Sequence, residues 1–297
     1  MKPSGSEYLS IRGLRYHCRT WGTAHAPVVL MLHGWMDVGA SFQFLVDAFK
    51  GRYRFVAPDL RGFGETQWCG VDSYWFPDYF ADLDALIDAY SPAAPLALVG
   101  HSMGGNIASM YAGIRPARVV KLVNVEGFGM GGTLPDQAPR RYGRWLDEIK
   151  TQQGFRDYAS FEELAARLQS KNPRLSRERA AFLAPHWGDR RADGRVVLRS
   201  DPAHKRVNPN LYRIEETKAC WRAIETPVLW VTGRETETLK RMGLDAGALV
   251  DRKRAFPRLH ETEIADAGHM IHHDQPERLA AVIEDFFRAG PRPFECL

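Results

Sequence analysis

The chain has 297 residues, 44% hydrophobic and 26% charged. These are proportions of an ordinary soluble globular protein, long enough for one large α/β domain or a domain carrying an insertion. The net charge of +4 is too small to argue for a nucleic-acid partner, and no apolar run reaches the roughly 18 residues that would suggest a membrane span.

The first residues, Met1-Lys2-Pro3-Ser4-Gly5-Ser6-Glu7, lack the apolar core of a signal peptide, so the cytoplasm is the expected compartment. Residues 8–11 and 14–21 read as an opening hairpin that turns near Gly13. Val28-Val29-Leu30-Met31-Leu32 is a continuous apolar run, as in a strand covered on both faces, and it ends at His33-Gly34-Trp35. A helix is expected over 42–49 and a short strand over 54–57, closed by Pro58-Asp59-Leu60-Arg61-Gly62-Phe63-Gly64, where Asp59 and Arg61 are expected to brace the loop. Phe80, Leu83, Leu86 and Ile87 mark a further helix.

Pro95-Leu96-Ala97-Leu98-Val99 is a buried strand that runs into Gly100-His101-Ser102-Met103-Gly104-Gly105. After that turn Ile107, Met110, Tyr111 and Ile114 fall on one helix face, and Pro116 stops the helix. Another strand covers 119–125 and ends at Glu126-Gly127. The alternation then breaks. Residues 139–222 carry 19 Lys and Arg against 11 Asp and Glu, which leaves the remainder of the chain acidic. This composition shift marks 128–222 as a helical insertion, whose aromatics, Tyr142, Trp145, Tyr158 and Trp187 among them, are expected to anchor it to the core. Alternation resumes with Pro227-Val228-Leu229-Trp230-Val231 before Gly233, and a last strand covers 261–264. The closing helix is expected to have Asp274 as N-cap, Pro276 in its first turn and Leu279, Val282, Ile283 and Phe286 on its buried face.

Strands alternating with helices imply a mostly parallel sheet covered on both faces, with reactive groups on the loops at the carboxyl ends of its strands. Gly-x-Ser-x-Gly between a strand and a helix is a nucleophile elbow. The tight turn exposes the Ser102 hydroxyl and admits only glycine at its close approaches, Gly100 and Gly104. A serine needs a base, and His269, in Ala267-Gly268-His269, follows the last strand and comes after the nucleophile in chain order. His272 and His273 lie close by and could substitute, but only His269 sits directly at the strand-end glycine, so the other two read as surface or satisfied core residues. The backbone N–H groups of Trp35 and Met103 are candidates for an oxyanion hole. The third partner, a carboxylate for the imidazole, has three candidates: Glu126, Glu235 and Glu237. Cys18, Cys69, Cys220 and Cys296 lie far apart without metal-type spacing, and neither a metal cluster nor a nucleotide loop is visible, so no cofactor and no metal are expected.

The motifs His33-Gly34-Trp35, Pro58-Asp59-x-Arg61-Gly62-x-Gly64, Gly100-His101-Ser102-Met103-Gly104-Gly105 and Ala267-Gly268-His269 together resemble the α/β-hydrolase fold family. His33-Gly34-Trp35-Met36-Asp37 with Ser41-Phe42 is similar to its serine-hydrolase-like subgroup. The resemblance implies an eight-stranded sheet with residues 1–127 and 223–297 as the core and 128–222 as a helical cap inserted after the sixth strand. The family commonly places its acid three residues after the glycine that ends the seventh strand. Here that position is Thr236, which carries no charge, so this chain departs from the pattern and Glu126, after the sixth strand, is the favoured acid. The implied activity is cleavage of a small or medium carboxylic ester, a small-molecule substrate, through an acyl-enzyme on Ser102. Hydrolysis of a carbon–carbon bond next to a ketone, and a non-catalytic ligand-binding role, are the alternatives.

Overall fold

The computed structural model describes residues 1–151, 154–289 and 294, so Cys296 lies outside the described residues. Eight strands form one sheet in the order β1-β2-β4-β3-β5-β6-β9-β10. They are β1 (Gly5–Ile11), β2 (Leu14–Trp21), β3 (Val28–Leu32), β4 (Arg54–Pro58), β5 (Leu96–His101), β6 (Val119–Val125), β9 (Val228–Gly233) and β10 (Leu259–Ile264). The β1–β2 hairpin and the β2–β4 pair are antiparallel, and every other pairing is parallel.

Apolar runs become central strands because both their faces are covered. In β3, Leu30 and Leu32 point into a core shared with α2 (Phe76–Tyr90) and α3 (Met103–Ile114). Val29 and Met31 point the other way, towards α1 (Gln43–Ala48) and α11 (Pro276–Arg288). The alternation is the two-residue period of the strand, and continuous hydrophobicity is the mark of burial on both sides. Register carries the strand ends to a common line: Gly100 pairs with Asn124 and His101 with Val125, while Val125 pairs with Val231.

The segment between β6 and β9 holds α4 (Ala138–Ile149), α5 (Phe161–Lys171), α6 (Arg177–Trp187) and α7 (Ile214–Arg222). It also holds a short hairpin, β7 (Gly188–Arg190) with β8 (Val196–Leu198), which a wholly helical expectation missed because three-residue strands carry no readable period. The segment joins the core in two places. Phe128, Ala203, Tyr212 and Trp221 lie in the cluster shared with α2 and α3. The helices α5 and α6 pack through a small apolar cluster of Phe44 with Leu168, Leu175, Ala180 and Leu183, beside which the Trp187 indole donates to Ser41 Oγ at 3.3 Å. Trp187 reaches the core through Ser41 and the Phe44 cluster, whereas Tyr158 packs against Leu164, Ala184 and Val196 of the segment itself and Tyr142 on α4 is about half exposed.

Other boundaries differ from expectation. Ile114, read as part of the buried face of α3, is exposed, because it lies one residue past the point where α7 crosses that helix at Gly113. Pro116 opens a separate 3₁₀ turn, 116–118, rather than merely ending α3. Asp274 does not cap α11. It closes the short α10 (Ile271–Asp274), its carboxylate accepting from Gly268 N–H at 2.9 Å and Asn172 Nδ2 at 2.7 Å, and Gln275 is the capping residue. Val282 is half-buried, unlike Leu279, Ile283 and Phe286. Two helices, α8 (Thr238–Arg241) and α9 (Ala246–Lys253), stand between β9 and β10. Among the described residues no helix is long and apolar enough to cross a membrane.

Candidate active site

Five described residues other than glycine adopt positive φ. Four of them, Met36, Ser102, Glu126 and Asp266, lie on loops that leave the carboxyl ends of β3, β5, β6 and β10. Such strained backbone persists only where the surroundings over-determine it, and it gathers at functional sites. Ser102 (φ 52, ψ −114) turns sharply between β5 and α3, its own N–H still bonded to Val125 O at 2.8 Å. A Cβ at Gly100 would sit 2.3 Å from Gly104 O, and one at Gly104 would sit 2.1 Å from Leu32 O, so the turn closes only with glycine at both places. Glu126 (φ 58) repeats the turn one strand over, its N–H bonded to Val231 O at 3.0 Å.

These turns bring three side chains into line. Ser102 Oγ lies 3.0 Å from His269 Nε2, and His269 Nδ1 lies 3.0 Å from Glu126 Oε2. Glu126 is buried, its Oε1 accepting from Gly233 N–H at 2.9 Å and its Oε2 from the Thr236 hydroxyl at 2.5 Å. Neither other candidate acid reaches the imidazole. Glu235 is exposed and accepts from Asp266 N–H at 3.3 Å, and Glu237 is exposed at the start of α8.

Burial pushes the Glu126 carboxyl up to about 7, against the pull of Thr236, Gly233 N–H and the Arg241 cation. Burial likewise takes His269 down to about 4, with Arg241 acting in the same direction. An imidazole held neutral at neutral pH is the form that accepts a proton.

Trp35 follows β3 on a loop that runs against the nucleophile: a Cβ on neighbouring Gly34 would lie 3.3 Å from Ser102 Cβ. The Trp35 side chain is 55% exposed. Met103 is the first residue of α3, where backbone N–H groups have no partner inside the helix. His33 braces the loop, its Nε2 accepting from Leu60 N–H at 2.9 Å and its Nδ1–H therefore donating to Gly34 O at 2.7 Å. Asp59 and Arg61 brace as expected: Asp59 accepts from the N–H groups of Gly39 and Glu65, and Arg61 holds Asp82 through two bonds of 2.7 and 2.6 Å.

Sequence reasoning passed over Thr238, Arg241 and His101. Thr238 Oγ1 lies 3.0 Å from His269 Nδ1 and accepts from Arg241 at 3.1 Å. His101 is buried and donates from Nε2 to the His269 carbonyl at 2.8 Å. Thr236 is an uncharged residue where the family pattern has an acid, and its hydroxyl holds the acid supplied by the neighbouring strand, Glu126. A hydroxyl at that position together with a glutamate directly after β6 was the available signal.

A family model described as "Alpha/beta hydrolase family" matches residues 29–282. The "Serine hydrolase-like protein" of Danio rerio is 27% identical over 285 residues, covering 91% of this chain and 84% of its own length. The "3-hydroxybutyrate-oligomer hydrolase" of Cupriavidus necator is 30% identical over 286 residues, covering 92% of each. Among solved structures, the thioesterase domain from the curacin biosynthetic pathway superposes with a TM-score of 0.85 at 25% identity, over 95% of this chain and 99% of that one.

Proposed function

The chain belongs to the α/β-hydrolase family, and on that premise we propose that it is a serine hydrolase cleaving a small or medium carboxylic ester through an acyl-enzyme. The observation that carries this reading is the continuous line from Ser102 Oγ to His269 Nε2 and from His269 Nδ1 to Glu126 Oε2, each step 3.0 Å.

Ser102 Oγ attacks the ester carbonyl carbon while His269 Nε2 takes its proton. Glu126 accepts from the Nδ1–H, fixes the tautomer and stabilises the imidazolium that forms. The N–H groups of Trp35 and Met103 receive the oxyanion. His269 then returns the proton to the departing alcohol oxygen. Water, deprotonated by the same imidazole, attacks the acyl carbon and releases the acid, and the proton goes back to Ser102. Residues 128–222 act as a cap over this edge and bound the substrate pocket. The name of the Cupriavidus necator relative, a hydrolase of 3-hydroxybutyrate oligomers, supports substrates of this size. The unpaired thiols Cys18, Cys69 and Cys220 suit a reducing, cytoplasmic setting.

The test is a fluorophosphonate probe, which labels only an activated serine, together with a panel of p-nitrophenyl esters. The wild-type protein is expected to label and turn over. Ser102→Ala is expected to lose the label and at least about a thousandfold in ester turnover with an unchanged circular-dichroism spectrum. Labelling that survives in the variant would reject the assignment.

A further inference from the structure

Around the His101 and His272 rings, next to His269, five buried side-chain atoms have no hydrogen-bond partner: Asp37 Oδ2, His101 Nδ1, both ring nitrogens of His272, and His273 Nε2. An unmet buried polar atom costs about 1–3 kcal/mol, so five in one place demand something that binds them. Asp37, His101 and His272 are each at most 2% exposed. One ligand-type atom from each lies within 4.8 Å of the other two. Asp37 Oδ2 stands 3.7 Å from His272 Nε2, too far for a hydrogen bond, and the His101 and His272 rings are 4.5 Å apart between centroids.

A neutral His272 has one ring N–H, which can serve Asp37 Oδ2 or His101 Nδ1 but not both. His101 Nε2 donates to the His269 carbonyl at 2.8 Å, and a carbonyl only accepts, so His101 Nδ1 carries a lone pair. Asp37 Oδ1 is already occupied by Val38 N–H at 2.8 Å and by the Ser41 hydroxyl, which leaves a second, unengaged carboxylate oxygen facing inward. Among the described residues no Lys or Arg forms an ion pair with Asp37. The convergent set is therefore two imidazoles and one carboxylate, rich in lone pairs and short of positive charge.

We propose that Asp37, His101 and His272 form a buried binding site for one divalent transition-metal ion of the zinc class. Imidazole and carboxylate donors in a two-to-one set suit such an ion rather than Mg²⁺ or Ca²⁺, which favour oxygen throughout. Donors on one zinc ion stand about 3.3 Å apart at bond lengths of about 2.0–2.1 Å, so the site closes around the ion by side-chain rotation. The backbone bond from His101 Nε2 to His269 is the outer hydrogen bond that ligating histidines use to fix their tautomer. A bound ion ties the loop after β3, the strand end before Ser102 and the helix after His269 into one unit. Spacing along the chain did not signal the site because its ligands come from three separate segments.

The test is calorimetric titration of the full-length protein, stripped with chelator, with ZnCl₂, alongside crystals of the zinc-soaked protein measured at the zinc absorption edge. The wild type is expected to bind one zinc ion at this cluster and to show an anomalous peak between the three side chains. His272→Leu and Asp37→Asn are each expected to weaken this binding at least about tenfold. The Asn variant keeps the shape and the Oδ1 contacts, so it reports on the ligand atom even if the Leu variant folds poorly. A peak without anomalous signal at hydrogen-bond distances, which is a buried water, overturns the proposal. So does zinc affinity unchanged in Asp37→Asn.

Discussion

At the scale of single residues, Arg241 acts on the proposed catalytic pair alongside burial, opposing it at Glu126 and reinforcing it at His269, while bonding to neither member. It donates to Thr238, which adjoins the His269 ring, and its positive charge holds down both Glu126 and His269. In the proposed mechanism the active form has the carboxylate ionised and the imidazole neutral, so activity falls as the pH drops through either titration. Replacing the cation by a neutral side chain lets both groups hold protons to higher pH. Arg241→Gln is therefore expected to move the acid limb of the kcat/KM profile to higher pH while the plateau at alkaline pH is largely kept. A profile measured from pH 4 to 9 checks this, and a limb that stays in place or moves to lower pH contradicts the coupling. The same scale shows why the acid was ambiguous in the sequence. Glu126 and Glu235 each follow an apolar strand of the same sheet, and spacing gives them equal access. What separates them is the left-handed backbone at Glu126, which accompanies a carboxylate turned inward to Gly233 N–H and Thr236, whereas Glu235 bonds Asp266 N–H at the surface. Glutamate gives no sign of that φ in the sequence, because it has no preference for it.

At the scale of elements, two helical glycines test whether packing or propensity governs. A glycine in a helix interior costs about 1 kcal/mol relative to alanine. In α4 nothing lies within 4 Å of a Cβ placed at Gly143, so Gly143→Ala gains helix propensity without hindrance. In α3 a Cβ at Gly113 would stand 1.8 Å from the Cys220 carbonyl oxygen, because α7 crosses there backbone to backbone. Overpacking typically costs about 1–3 kcal/mol and more where main chain must move, which exceeds the propensity gain. The two substitutions are expected to have opposite signs: Gly143→Ala raises the urea midpoint and Gly113→Ala lowers it. Equal signs would mean that α7 does not press on α3 as described. This crossing explains part of what the sequence hid. The strands β3, β5, β6 and β9 and the elbow before α3 were legible because continuous apolar runs and fixed glycines are local signals. The position of α7 was not, since it depends on a contact with a helix about a hundred residues earlier in the chain.

At the scale of the whole molecule, two large apolar clusters flank the sheet; the segment proposed as a cap joins one of them through Ala203, Tyr212 and Trp221, while its helices α5 and α6 rest on a third, small one. Composition alone marks that segment, through its excess of Arg and Lys, and does not say how much more weakly α5 and α6 are fastened than α7. Apart from Phe44, the buried members of the fastening cluster, Leu168, Leu175, Ala180 and Leu183, all belong to the segment itself. Leu183 is fully buried there, and truncating such a leucine to alanine costs about 2–5 kcal/mol. A loss of that size in a small satellite cluster is met locally, because opening α5 and α6 exposes far less apolar surface than opening the sheet. Leu98 in β5 is equally buried, but it sits in the principal core, where the same truncation must be met by the whole fold. Leu183→Ala is therefore expected to speed hydrogen exchange in α5 and α6 while leaving β5 and β6 protected, whereas Leu98→Ala speeds exchange throughout. If Leu183→Ala instead released β5 together with α6, then α5, α6 and the sheet would be one cooperative unit, and that part of the proposed cap could not open independently over Ser102.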